Sequence, residues 1–235
     1  MGSVGRIRGQ TEKLIRRSIL QAIFEQRMPP GARLTEDALA DTFEVSRTII
    51  RQVIARLAQD GILIKDSSGA THIASPSRQE AKQILDVRRM IEPKVVRTLA
   101  DRAADLSFAD LQAHLEAEDK ARKQNDRGGL VRLTGEFHLL LVQHTQNAIL
   151  VRLMTELQAL ICLAILLYAS GEDACPEDEH RRIVDAIRAG DGARAEHLML
   201  HHLDHIERDL KLDDLRPDVQ IESALTWLSG RRSGD

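Results

Sequence analysis

Aromatic residues are scarce in this chain: four Phe, one Tyr and one Trp in 235 positions. That excludes an aromatic stacking platform or an aromatic-rich sandwich and leaves the core to Leu, Ile, Val and Ala. Cysteine is scarcer still. Cys162 and Cys175 cannot build a disulfide framework or a Cys-rich zinc module, which points to a reducing compartment. Six prolines and fourteen glycines are too few for a low-complexity or collagen-like chain. Long apolar runs are missing as well: the run from Leu160 to Tyr168 is nine residues, about half of the ~20 a membrane helix needs. The N-terminal Met1-Gly2-Ser3-Val4-Gly5-Arg6 lacks the apolar region of a signal peptide. The expectation is a soluble cytoplasmic protein with no membrane partner.

What is present is enough to build a core. Hydrophobic residues make up 43% and charged residues 29%, over a length that suits one large domain or two small ones. Charge is unevenly spread. Residues 1–75 hold 11 Lys and Arg against 8 Asp and Glu, a net of +3, whereas the remainder holds 22 against 28, a net of -6. Eight of the nine histidines fall in the acidic part, and only His72 lies in the basic part. A basic head and an acidic, histidine-bearing body suggest two jobs.

In the head, Leu14, Ile15, Ile19, Ala22 and Ile23 carry helical periodicity from Thr11 to Phe24, and Met28-Pro29-Pro30-Gly31 stops it. Thr35 is a good N-cap for a short helix, with Glu36 and Asp37 at its positive end and Leu39 and Phe43 facing inward. Ser46 opens a longer helix through Ile49, Ile50, Val53, Ile54 and Leu57, which ends at Gly61. Two short β-branched runs, Ile62 to Lys65 and Thr71 to Ala74, flank a turn at Ser67-Ser68-Gly69 and predict a hairpin. This is a helix-turn-helix followed by a wing. Arg47, Thr48, Arg51 and Gln52 occupy the first turns of the second helix, where Arg can bridge guanine O6 and N7 and where Ser46 and Thr48 can donate to phosphate. Periodicity alone also fits an ordinary three-helix domain with solvated arginines.

The run from Pro30 to Gly61, PGARLTEDALADTFEVSRTIIRQVIARLAQDG, resembles the DNA-binding domain of the GntR superfamily of bacterial transcription regulators over residues 11 to 75. The resemblance implies that Ser46, Arg47, Thr48 and Arg51 meet double-stranded DNA, assisted by Arg33 and the wing turn at Gly69. Some members carry a basic residue where this chain has Asp37, and an acid there repels phosphate, so no contact is assigned to it.

Ser75-Pro76-Ser77 is the one candidate linker, giving a head at 1–75 and a body at 78–235. Every long segment of the body has helical period. Helices are expected at Arg78 to Ala103 with a bend at Pro93, from Ser107 as cap to Lys123, and from Leu130 to Thr145 after Gly128-Gly129. Further helices are expected from Asn147 as cap to Ala169, from Pro176 at the first position to before Gly190, from Asp191 as cap to Leu212, and over Val219 to Leu228. The fold class is therefore mostly α: a winged helix-turn-helix followed by an antiparallel bundle of six or seven helices.

His138, His180 and His202 each sit on the apolar stripe of a different helix, while His197, His201 and His205 read as surface. Three inward histidines fit a metal site in a bundle core, and they fit three unrelated core residues too. The segments Asp86 to Pro93, Phe137-His138 with Asn147, Glu179 to Asp191, and His202-Leu203 resemble the FCD effector domain of the FadR branch over residues 78–212. That resemblance implies a divalent metal, zinc first with nickel or another ion as options, on His138, His180 and His202. Thr134 stands where most metal-binding members have Asp, which leaves three imidazoles and open positions. Arg88 is then expected either to face the same cavity and pair with an anionic effector, or to lie at the surface or a dimer interface next to Arg89. The function implied is a homodimeric regulator whose grip on a palindromic operator is set by a small carboxylate. Two other classes compete. A metal-dependent enzyme using three His and a water lacks a visible general base, since Glu136 and Glu179 fall off the ligand faces. A non-specific DNA-packaging protein disagrees with the net charge of -3.

Overall fold

The structure, a computed structural model, describes residues 2–25, 27–169 and 178–212. The head begins with α1 (Gly2–Phe24), which ends where expected and starts nine residues before Thr11, with no proline in the added stretch. A two-residue strand β1 (Arg33–Leu34) precedes α2 (Glu36–Phe43), whose N-cap Thr35 accepts from the Ala38 N–H. Then follow α3 (Arg47–Gln59), β2 (Leu63–Lys65) and β3 (Thr71–Ile73). Ser46 takes the N-cap position of α3 in extended conformation, but its hydroxyl makes no cap hydrogen bond. The expected hairpin forms with Leu63 opposite Ile73, and β1 adds a third antiparallel strand on the other side of β3. Asp66 builds the wing turn: its carboxylate accepts from Ser68 N, Ser68 Oγ and Ala70 N, while Gly69 takes a φ of 82° that other residues resist.

The body holds α4 (Arg78–Ala100), a 3₁₀ turn (Ala103–Asp105), α5 (Ala109–Lys123), α6 (Arg127–Gln143), α7 (Ala148–Tyr168), α8 (Glu179–Arg188) and α9 (Gly192–Leu210). Ser77 and Glu80 form a capping box on α4, which runs unbroken through Pro93. Several boundaries differ from expectation. Gly128 and Gly129 lie inside the first turn of α6 because Asp126 caps it by accepting from Gly129 N. Phe108, not Ser107, is the N-cap of α5, and α8 starts at Glu179 behind Asp178. Pro176 and the helix expected over Val219 to Leu228 lie outside the described residues.

One correction concerns α7. An 18-residue window in it reaches a mean hydropathy of 2.0, so it is long and apolar enough to cross a membrane by length and composition. Its burial has another cause: α7 is the helix that both halves of the molecule pack against. Met154 joins Phe137, Val184, Ile187, Met199 and Leu203 in the body core, and Ile161 and Ala164 pack with Leu85 and Leu210. Ala159, Cys162 and Leu163 instead join Ile19, Ile23, Ile50, Leu57 and Ile73 of the head. Arg16–Asp60 at 2.6 Å and Arg132–Glu25 at 3.6 Å add ion pairs within the head and across this seam. The linker is tied down as well, since the Tyr168 hydroxyl donates to the Pro76 carbonyl at 2.8 Å.

Candidate metal centre and nucleic-acid interface

Position on an apolar stripe buries His138 on α6, His180 on α8 and His202 on α9, each to 2% exposure. Their Nε2 atoms converge: His202 lies 3.2 Å from His138 and 3.3 Å from His180, and one ligand atom from each falls within 4.8 Å of the others. A tetrahedral set at the usual metal–nitrogen distance of ~2.0–2.1 Å has nitrogen–nitrogen edges of about 3.3–3.4 Å. The two shortest separations match that figure.

The reverse side of each ring explains the convergence. His138 Nδ1 faces Glu92 at 2.5 Å, His180 Nδ1 faces both oxygens of Glu118 at 3.0 Å, and His202 Nδ1 faces Glu179 at 2.7 Å. A carboxylate behind Nδ1 fixes the proton there and leaves Nε2 as a lone pair aimed at the shared centre. Burial pushes His138 down to about 3, so that ring is neutral at ordinary pH. Burial alone would raise the three carboxylates, but their cationic and hydrogen-bonded neighbours win. Glu118 drops to about 2 beside His180 and His114, and Glu179 to about 2 beside His202 and His205. Glu92 is held well below the usual carboxylate range, chiefly by Arg88.

Arg88 is fully buried, which removes the surface and dimer-interface alternative for it. Its Nε donates to Glu92 at 2.5 Å, while Nη2 has no hydrogen-bond partner among the described residues. It lines a small cavity with Thr134, His138, Gln158 and His202. The Thr134 hydroxyl donates to its own helix at Val131 O, 3.0 Å away, at the wall of that space. All three histidines, Arg88 and Thr134 therefore come together as the sequence suggested. The glutamates behind the rings were not foreseen. Glu179 lies off the ligand face of its own helix, yet it reaches back from α8 to His202 and His205 on α9. The i, i+4 spacing of Arg88 and Glu92 on α4 is the available signal for Glu92, and that of His114 and Glu118 on α5 for Glu118.

On the head, Arg33, Ser46, Arg47, Thr48, Arg51 and Gly69 are all exposed, around the N-terminus of α3, β1 and the wing. Arg47 and Arg51 are both held by acids of α2: Arg47 Nε lies 2.8 Å from Asp37 and Arg51 Nε lies 2.7 Å from Glu36. Asp37 is thus a partner of α3 as well as a local negative charge.

Comparison with known proteins agrees with both halves. Residues 11–73 match the model of the bacterial regulatory proteins of the gntR family, and residues 83–205 match the FCD domain. The uncharacterised HTH-type transcriptional regulator YdhC of Bacillus subtilis is 30% identical over 192 residues, covering 80% of this chain and 86% of the relative. The HTH-type transcriptional regulator LutR of the same organism is 28% identical over 203 residues, covering 77% and 92%. The solved structure of E. coli McbR/YncC has a TM-score of 0.75 over 85% of this chain and 96% of its own, at 20% identity, and so shares the fold. These relatives leave no place for the enzyme alternative. The chain belongs to the GntR family of DNA-binding transcription regulators, as a member carrying a C-terminal FCD domain.

Proposed function

We propose that this regulator is a homodimer whose affinity for a palindromic operator is controlled by a small carboxylate bound beside a divalent metal in the helical body. The observation that carries the reading is the convergence of three carboxylate-backed Nε2 atoms beside a cavity whose wall holds His138, His202 and a buried arginine with an unused N–H. His138, His180 and His202 would hold the ion, zinc first and nickel or another divalent ion otherwise. When bound, it supplies fixed positive charge and open coordination positions for an anionic ligand. Arg88 orients the carboxylate through Nη2, and Thr134 offers a neutral oxygen at the cavity wall. Two copies are required because one winged helix spans too few base pairs for selective binding, and both heads must meet half-sites on one face of the duplex. Arg47 and Arg51 read base edges, Ser46, Thr48 and Arg33 meet phosphates, and the Gly69 turn approaches the neighbouring groove. The cytoplasm, where DNA and small acids are both at hand, is the proposed site of action.

The test uses the full chain and an operator selected from random duplexes. Elemental analysis should find about one divalent ion per chain, sedimentation should give twice the chain mass, and a small carboxylate should change operator affinity only before chelation. Arg47→Ala and Arg51→Ala should each weaken operator binding by roughly 1–3 kcal/mol. Unchanged operator binding in both arginine variants, or a metal-free chain that responds fully to the acid, would overturn the respective half of the reading.

A further inference from the structure

Gln158 of α7 faces the same cavity and is 3% exposed. Its Nε2 sits 3.8 Å from Cys162 Sγ and against Gly135 of α6, where an added Cβ would come within 2.9 Å of it. Glycine at 135 is therefore the residue that makes room for the Gln158 amide. Oε1 has no hydrogen-bond partner among the described residues. Two buried polar atoms in one cavity thus lack partners of opposite kinds: Arg88 Nη2 is a donor and Gln158 Oε1 is an acceptor. Native interiors rarely leave such atoms unmatched, because each costs desolvation without return.

We infer that Gln158 is a specificity-determining residue that selects an effector carrying a hydroxyl next to its carboxylate, that is, a 2-hydroxy acid. This rests on the proposed carboxylate site. A carboxylate answers Arg88 and brings only acceptors. A 2-oxo acid adds another lone pair, which meets Gln158 Oε1 acceptor to acceptor. An unsubstituted acid leaves Oε1 as it is. A hydroxyl brings the proton that Oε1 lacks, and sites built to bond a hydroxyl reject analogues without one far more strongly than apolar pockets reject a methylene. An ammonium in the same place would bring positive charge beside Arg88 and the ion held by the histidines. Ile165 and Ile206 on the remaining wall favour a short apolar tail.

The experiment is calorimetry and thermal shift on the full chain, zinc-loaded and chelator-treated, with lactate against pyruvate and propionate, and malate against succinate. The parent should bind the hydroxy acid at least about tenfold tighter than its matched partners. In Gln158→Met, close in volume and without the acceptor, that gap should collapse to within about twofold while the unsubstituted acid binds as before. Removing an unmatched acceptor should leave the unliganded melting temperature unchanged or raised; Gln158→Leu repeats the test should Met pack badly. Equal binding of hydroxy and unsubstituted acids by the parent overturns the inference and leaves the carboxylate site standing. A hydroxyl preference that survives both substitutions also overturns it, because another group then reads the hydroxyl. If no acid binds under either metal condition, the carboxylate site falls and the inference falls with it.

Discussion

Glu92, Glu118 and Glu179 convert three core histidines into one donor set. Without a carboxylate at Nδ1 each ring is free to put its proton on Nε2, and three N–H groups would then point at one another. With it, the lone pairs are presorted toward the centre. Replacing Glu118 by Gln keeps an acceptor for His180 Nδ1 and removes the charge that polarises the ring. Glu118→Gln is expected to weaken zinc affinity by about tenfold or more, read by chelator competition, with helical circular dichroism unchanged. At this scale the histidines were legible from sequence because each lies on an apolar stripe set by helical period. Their glutamates were not, since those come from α4, α5 and α8 and meet the rings only through helix packing between positions 46, 62 and 23 residues apart.

Two contacts between elements carry functional weight. The first joins α2 to α3, where Glu36 and Asp37 occupy the guanidinium groups of Arg51 and Arg47, the two arginines proposed to meet DNA. Exposed pairs of this kind are worth only about 0–1 kcal/mol, so a phosphate or a guanine displaces them at small cost. They discourage loose binding more than tight binding. Asp37→Asn should therefore raise affinity for random duplex several-fold at low salt and raise operator affinity less, which fluorescence anisotropy across a salt series would show. The second contact joins α7 to the head. Its face at Gln158 lines the cavity while Ala159 and Leu163, one and five residues on, pack into the head core. Glu156 of α7 faces Asp60 at the end of α3, and burial together with the charge of that acid raises its carboxyl. The helices, the wing and the Thr35 cap were readable from periodicity and turn chemistry, whereas Ser107 is not the cap of α5 and Ser46 makes no cap hydrogen bond. That α7 serves both cores was not, because an apolar helix looks alike whichever neighbours cover it.

Over the whole molecule, the buried titratable groups set how stability follows pH. His138 stays neutral in the folded chain down to about 3, whereas the unfolded chain protonates it near its ordinary 6.5. Glu118 and Glu179, at about 2 when folded, take up protons from about 4.5 downward when unfolded. In each case the unfolded state binds more protons, so stability is full above about 6.5 and declines as pH falls through 6.5 to 2. Glu156, shifted upward, opposes this by a single group. Chelated protein should lose about 2–4 °C of melting temperature over the first pH unit below 6.5. A flat profile between pH 7.5 and 5.5 would contradict a neutral buried His138. The seam at α7 also holds Cys162, 1% exposed and with its thiol pushed up to about 12 by burial. Such a thiol is inert toward alkylating reagents while the head stays docked, and it becomes reactive whenever the head lifts away. In a Cys175→Ser background the chain thus contains its own stopwatch. The labelling half-time of one native sulfur counts how often the two halves part, and a bound effector that tightens the seam should lengthen it.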